Sequence, residues 1–138
     1  MDELDRRLIG ALRQDSRQSV QALARRLDVR PSTAHARLQR LKADGVIEGF
    51  TLKLNSRAVG EGFIVFLLLS TAKKLSPAFL ANPHIKEAFG ITGEYDLILK
   101  LKFPGVDEFN AFLLELRNEP NITKTLTMVA TANLKEEL

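Results

Sequence analysis

At 138 residues, 45% hydrophobic and 27% charged, the chain has the composition of a globular protein of one domain or two small ones. It has no cysteine, which excludes disulfides and thiolate metal sites and fits a cytosolic protein. Net charge is only +3, yet residues 1–60 carry 12 Lys/Arg against 7 Asp/Glu and residues 61–138 carry 8 against 10, which excludes an evenly charged surface.

The kind of base changes as well, since ten of the eleven arginines precede residue 60 and seven of the nine lysines follow it. Arginine's rigid fork suits phosphate and guanine, so the first half reads as anion-binding and the second as ordinary. "MDELDRRLIG" begins with acids and lacks an apolar h-region, so no secretory signal is expected. The longest apolar run, "FIVFLLL" (Phe63 to Leu69), is far too short to span a bilayer, and no membrane partner is expected.

Leu4, Leu8, Ile9 and Leu12 follow helical spacing from Asp2 to Gln14. After the polar break "QDSRQS", Ser19 is placed to cap a short second helix built on Val20, Leu23, Ala24 and Leu27. The connector "DVRPS" sets Pro31 at a first helical position, and "DG" (Asp44-Gly45) closes the third helix after Ala43. "VIEGFTLKL" then reads as a strand leaving the unit.

Three short helices in this order predict a helix-turn-helix, whose third member reads the major groove. Ala34, Leu38 and Leu41 form its inward stripe, with His35 packed beside it. Ser32, Thr33, Ala36, Gln39 and Arg40 fall on the outer face, with Arg37 on its flank, and no carboxylate lies among them. Between Ser16 and Lys42 there are seven basic residues and one acid, Asp28, whereas a merely solvated helix mixes signs. Double-stranded DNA is the expected partner. Phosphate contacts are assigned to Arg17, Arg25, Arg30, Arg37 and Lys42, and base contacts to Ser32, Thr33, Ala36 and Arg40, with Gln39 beside them on the DNA-binding face and Arg40→Ala expected to leave the fold intact.

From Gly62 the pattern changes to strand "FIVFLLLST", a short helix in "SPAFLANP", strand "IKEAFGITG", strand "YDLILKLKF", a helix from Val106 to Asn118 and strand "ITKTLTMVATANL". The order β-α-β-β-α-β is the ferredoxin-like arrangement, so the whole chain is expected to be α+β. The expected divisions are a DNA-binding domain at 1–48, a hinge strand and linker at 49–61, and an effector-binding and oligomerisation domain at 62–138. "FIVFLLL" lacks polar alternation, so both faces of its sheet need a cover; helices supply one, and a second copy of the sheet is expected to supply the other. A homodimer through this sheet is therefore expected, the alternative being a central strand covered by bulky neighbours of the same chain.

"LDRRLIGALRQDSRQSVQALARRLDVRPSTAHARLQRLKADGVIEGFTLKLN" resembles the N-terminal half of the leucine-responsive (Lrp/AsnC, feast/famine) regulator family. The likeness extends through "GVIEGFTLKLN", similar to that family's hinge strand, and "ITGEYDLILKLKFPGVDEF", similar to its glycine-x-aromatic-aspartate loop and following strand. The resemblance implies a prokaryotic transcription regulator with a RAM-type second domain. It further implies binding to DNA as dimers or larger rings and a response to an amino acid, with no cofactor and no metal. Family members commonly have glycine in the turn and serine capping the third helix, where this chain has Asp28 and Arg30. Aspartate tolerates the left-handed turn, and capping is expected to pass to Ser32 with a later helix start.

In the loop Thr92 to Asp96, Gly93 permits a tight turn with exposed N–H groups and Asp96 can accept from an amino group. The resemblance assigns Gly93, Glu94, Tyr95 and Asp96 to the effector, together with Thr125, Thr127 and Met128 on the last strand of a neighbouring subunit. Thr123, Thr125, Thr127 and Thr131 are expected to share one face by period two. Two other readings are weighed. A relative of this fold family acts in haem-precursor decarboxylation, but the two histidines, His35 and His84, lie in different halves and His84 follows Asn82-Pro83 in a loop, so no enzyme is expected. A sensor whose helix-turn-helix serves only assembly is opposed by the arginine-rich face.

Overall fold

The apolar spacing of the first segment folds as α1 (Glu3–Gln14) in the computed structural model, which describes residues 1–138. Asp2 caps it: its carboxylate accepts from the Asp5 N–H while the Asp5 carboxylate accepts from the Asp2 N–H. This reciprocal pair satisfies two donors that helix geometry leaves without partners. Ser19 caps α2 (Val20–Leu27) by accepting from the Ala22 N–H at 3.0 Å. The turn after α2 is made by Asp28 in the left-handed region, φ 56° and ψ 50°, the one non-glycine residue with positive φ.

α3 (Pro31–Ala43) starts at Pro31, with Arg30 as an N-cap whose side chain caps nothing. The later start expected from Ser32 is therefore corrected. Pro31 presets the helical φ and has no N–H to satisfy, so the helix opens without a capping acceptor. At its other end Gly45 turns at φ 72°, and the Val46 and Ile47 N–H groups both donate to the Leu41 carbonyl. Leu8, Ala11, Leu23, Leu27 and Leu41 form the core of this unit, with Ala34 buried and Leu38 only partly so. His35, expected beside that core, is exposed.

The chain divides into two units, Met1–Leu52 and Lys53–Leu138. Residues 46–54, expected as a strand, belong to no sheet. Period-two spacing of Phe50, Leu52 and Leu54 survives, but a strand is defined by its ladder, and a single chain offers these residues no partner. All three are exposed.

The second unit contains β1 (Phe63–Thr71), α4 (Pro77–Leu80), β2 (Ile85–Gly90), β3 (Leu97–Phe103), α5 (Val106–Arg117) and β4 (Ile122–Val129). Strand order is β2-β3-β1-β4, every neighbouring pair antiparallel. The two crossovers, β1-α4-β2 and β3-α5-β4, carry both helices to one side of the sheet, where α4 and α5 pack on the same cluster. On that side Val65, Leu67, Leu69, Leu99, Leu101 and Phe103 are fully buried against Phe109, Phe112 and Leu116 of α5 and Leu75 before α4. Each such side chain stabilises the fold by about 1.5–3 kcal/mol.

The residues between them point the other way, where no helix lies. Phe66 pairs with Lys100 and Met128, and Leu68 with Ile98 and Leu126, so these share the open face. Leu126 and Met128 stay nearly half exposed. The C-terminal segment closes part of this face. Glu136 pairs with Lys100 and, at 3.1 Å, with Lys102, whose ammonium also donates to the Ser56 hydroxyl at 2.9 Å.

The hydrogen bond from Lys100, helped by Lys102, holds the Glu136 carboxyl at a pKa of about 2, against the usual 4.5. A depressed carboxylate contributes stability that is full above its unfolded pKa and lost as pH falls through the folded one. Glu136→Gln should therefore destabilise the second unit by about 1–2 kcal/mol at pH 7. The difference should shrink as pH drops from about 4.5 to about 2, and thermal melts of both forms at pH 7 and pH 3 measure it. Equal melting at pH 7 would show that the tail adds nothing to the fold.

Candidate nucleic-acid interface and ligand loop

With Ala34 and Leu41 buried, the outward side of α3 presents Ser32, Ala36, Gln39 and Arg40, all exposed, with Thr33 partly covered. Because Arg30 supplies no cap, no side-chain acceptor covers the helix start, so the N–H groups of Ser32 and Thr33 sit beside the positive end of the helix dipole. Arg17, Arg25, Arg30 and Lys42 are exposed as well. None of these four forms an ion pair within the chain, whereas Arg37 and Arg40 do.

Arg37 lies against Asp2 and, at 3.3 Å, against Asp5; Arg40 donates from Nη2 to Asp5 Oδ2 at 2.9 Å. The Arg37 side chain is 27% exposed and that of Arg40 52%, while Asp5 is completely buried. The Arg37 hydrogen bond, seconded by the Asp5 N–H, holds the Asp2 carboxyl at about 2. Asp5 is also lowered, chiefly by the Asp2 N–H and then by Arg37, and the Arg37 guanidinium is raised, chiefly by Asp2.

Two expectations change here. The outer face of α3 is free of carboxylates in sequence but not in space, since α1 brings two of them to its flank. Arg40→Ala is no longer a change that leaves the fold untouched, because it strips a partner from a buried carboxylate. Sequence reasoning missed Asp5, although a signal was present. Asp5 continues the stripe Leu8, Ile9 and Leu12 at i, i+3, i+4 and i+7, and an acid on an apolar stripe must find a cation.

In the second unit the loop Thr92 to Asp96 joins β2 to β3, with Gly93 at φ 111°. Asp96 Oδ2 accepts from the Thr71 N–H at 2.9 Å, the Asp96 N–H donates to the Leu69 carbonyl at 2.8 Å, and its carbonyl accepts from the Ile91 N–H. The aspartate thus pins the loop to the end of β1 and has its other carboxylate oxygen unused. The Ser70 hydroxyl donates to the Glu94 carbonyl at 3.3 Å. Lys124 of β4 donates to Glu94 Oε1 at 2.6 Å and stands 4.4 Å from the centroid of the Tyr95 ring. That ion pair holds Glu94 below the usual carboxylate range and Lys124 above the usual lysine range. Lys124 was not expected at this loop; cross-strand placement brought it there.

The expected β4 residues are not gathered by one chain. Thr125 pairs with Leu69 and Thr127 with Leu67, on the helix side of the sheet, while Met128 pairs with Phe66 on the open side. β4 ends at Val129, so Thr131 drops out of the expected row. His84 is held at the opposite end of β3, its Nδ1 donating to the Lys102 carbonyl at 2.9 Å and its ring stacked on Phe103 at 4.6 Å. A cavity of about 460 Å³ lies between residues 53–57 and 130–136, away from the loop.

Comparison with known proteins follows the same division. Residues 1–48 match the family described as winged helix-turn-helix DNA-binding, and residues 67–138 match the Lrp/AsnC ligand binding domain. An uncharacterized HTH-type transcriptional regulator of Pyrococcus horikoshii is 30% identical over 100% of this chain and 97% of its own. Among solved structures, an AsnC family transcriptional regulator from Agrobacterium tumefaciens has a TM-score of 0.86 and 26% identity, covering 100% of this chain and 96% of that one. A transcriptional regulator of Neisseria meningitidis in complex with L-Met has a TM-score of 0.87 at 22% identity, covering 99% and 93% respectively.

Proposed function

The chain belongs to the Lrp/AsnC family of transcription regulators, and from that premise we propose that it grips an operator as a homodimer or larger ring and is switched by an amino acid. The relatives are regulators rather than enzymes, and the decarboxylase reading is given up with them. One observation carries the DNA reading: α3 buries Ala34 and Leu41 and turns Ser32, Ala36, Gln39 and Arg40 outward on a single side. In this reading Arg17, Arg25, Arg30 and Lys42 meet phosphates, and Ser32, Thr33, Ala36, Gln39 and Arg40 meet base edges. Arg37 is moved from the phosphate group to the support of Arg40. The location proposed with this role is the cytoplasm, where chromosomal DNA lies in a prokaryotic cell.

The dimer is assigned to the open sheet face. Phe66, Leu68, Ile98, Leu126 and Met128 form an apolar surface that a second copy would cover, and Glu136 together with Glu87 balances the two lysines beside it. The effector is assigned to Gly93, Glu94, Tyr95 and Asp96 of one subunit with Thr125, Thr127 and Met128 of another. Support for that comes from the free oxygen of Asp96, suited to an α-amino group, and from the L-Met bound by the Neisseria regulator. An amino acid with an apolar side chain is the class proposed.

Calorimetric titration of the twenty amino acids tests it. At least one should bind the wild type, and Asp96→Asn, which keeps an acceptor for the Thr71 N–H, should weaken that binding by about tenfold or more through loss of a charge-assisted bond. If no amino acid binds the wild type, the second unit is left with assembly alone.

A further inference from the structure

Asp5 is the one charged side chain buried in the chain, and it sits on an apolar stripe where a leucine or alanine would pack without a partner. What the carboxylate does there is hold donors. Oδ2 accepts from the Asp2 N–H at 3.1 Å and from Arg40 at 2.9 Å, and Oδ1 accepts from Arg37 at 3.3 Å. Arg37 and Arg40 are three residues apart on one helix, so without an anion between them their guanidiniums repel.

The two arginines are used differently. Arg37 is largely covered and also holds Asp2, so it ties α1 to α3. Arg40 is half exposed and bonded through Nη2 alone, so only one of the five N–H donors of its guanidinium is engaged within the chain. A free arginine on a helix surface samples many rotamers and loses that freedom on binding; one already held by a carboxylate does not.

Resting on the DNA-binding reading above, we propose that Asp5 is a positioning residue for sequence-specific DNA recognition: its buried carboxylate, anchored by Arg37, fixes Arg40 so that the remaining donors meet one base edge in one orientation. The carboxylate touches no base itself. It acts through Arg40, and it also brings a negative charge close to the phosphates, which works against non-specific binding. Specificity and raw affinity are thereby separated, which gives the role a signature that a purely structural residue lacks.

The test uses the full-length protein and a duplex recovered by selection from a randomised pool with the wild type, measured against a scrambled duplex of equal length. Asp5→Asn should lower the ratio of selected to scrambled affinity by about tenfold, the range for one well-placed base contact, with scrambled binding unchanged or tighter. Arg40→Ala should lower the ratio similarly, and adding Asp5→Asn to it should change the ratio no further. Circular dichroism checks the fold of each variant. Should Asp5→Asn unfold, Asp5→Glu carries the test, since it keeps the charge but pushes the carboxylate outward by one methylene; a reduced ratio supports positioning and an unchanged one overturns it. A folded Asp5→Asn with the wild-type ratio, or with both affinities falling together, overturns the proposal and leaves the DNA reading standing. A wild type that recovers no preferred duplex overturns the DNA reading itself.

Discussion

Raising monovalent salt from about 50 to about 200 mM is expected to weaken operator binding about ten-thousandfold. Each phosphate contact releases condensed counterions, so the logarithm of affinity falls with the logarithm of salt in proportion to the contacts made. Arg17, Arg25, Arg30 and Lys42 are exposed and free of ion pairs within the chain, so a dimer offers twice that set and a slope of about −7. Arg37 is left out because its carboxylate partners already satisfy it. Arg25→Ala should flatten the slope by about 2 in a dimer, one contact per chain, while leaving operator preference nearly intact. Fluorescence anisotropy across a salt series reads both quantities. A flat profile would return the sensor-only interpretation to favour.

Phe103→Ala is expected to cost the second unit about 3–5 kcal/mol, the range for emptying a buried phenylalanine site. Phe103 is fully buried, with ring centroids of Phe109 and Phe112 each 5.5 Å away and His84 stacked on its face. Because the cluster joins β3 to α5, no single neighbour can collapse into the space left. A loss of this size is a large part of the ~5–15 kcal/mol that holds an ordinary domain. The first unit keeps its own core of Leu8, Leu23, Leu27 and Leu41, so it should melt as before. With the sheet unfolded the proposed dimer should be lost, and operator affinity should fall towards that of a single helix-turn-helix. Thermal melting by circular dichroism and sedimentation velocity check the two halves of this expectation. If the variant stays dimeric with unchanged melting, the aromatic cluster is not what holds the sheet.

Much of the architecture was legible in the linear order of residues. The three helices start and end close to where Asp2, Ser19, Pro31 and Asp44-Gly45 place them, because caps and turn formers act on their own few neighbours. The four strands were legible as apolar or β-branched runs between turn residues, and "FIVFLLL" rightly announced a strand with apolar residues on both faces. Residues 46–54 also read as a strand, and there the chain forms none. Alternation describes which sides a strand presents, whereas its existence depends on a ladder partner that local sequence does not name.

The candidate site divides along the same line. The outward set on α3 could be drawn from helical period alone, as could the tight turn at Gly93. The partners of Arg37 and Arg40 could not, since Asp2 and Asp5 lie more than thirty residues away in sequence and meet them only when α1 packs on α3. Lys124 reaches Glu94 across thirty residues of chain for an equivalent reason, the pairing of β4 with β1. Period and capping are set within a turn or two of backbone, so the sequence by itself determined the elements, the split charge and the outward face of α3. Ion pairs depend on which surfaces come to lie within hydrogen-bond reach, so only the tertiary structure decided that the arginines of α3 stand on a buried aspartate.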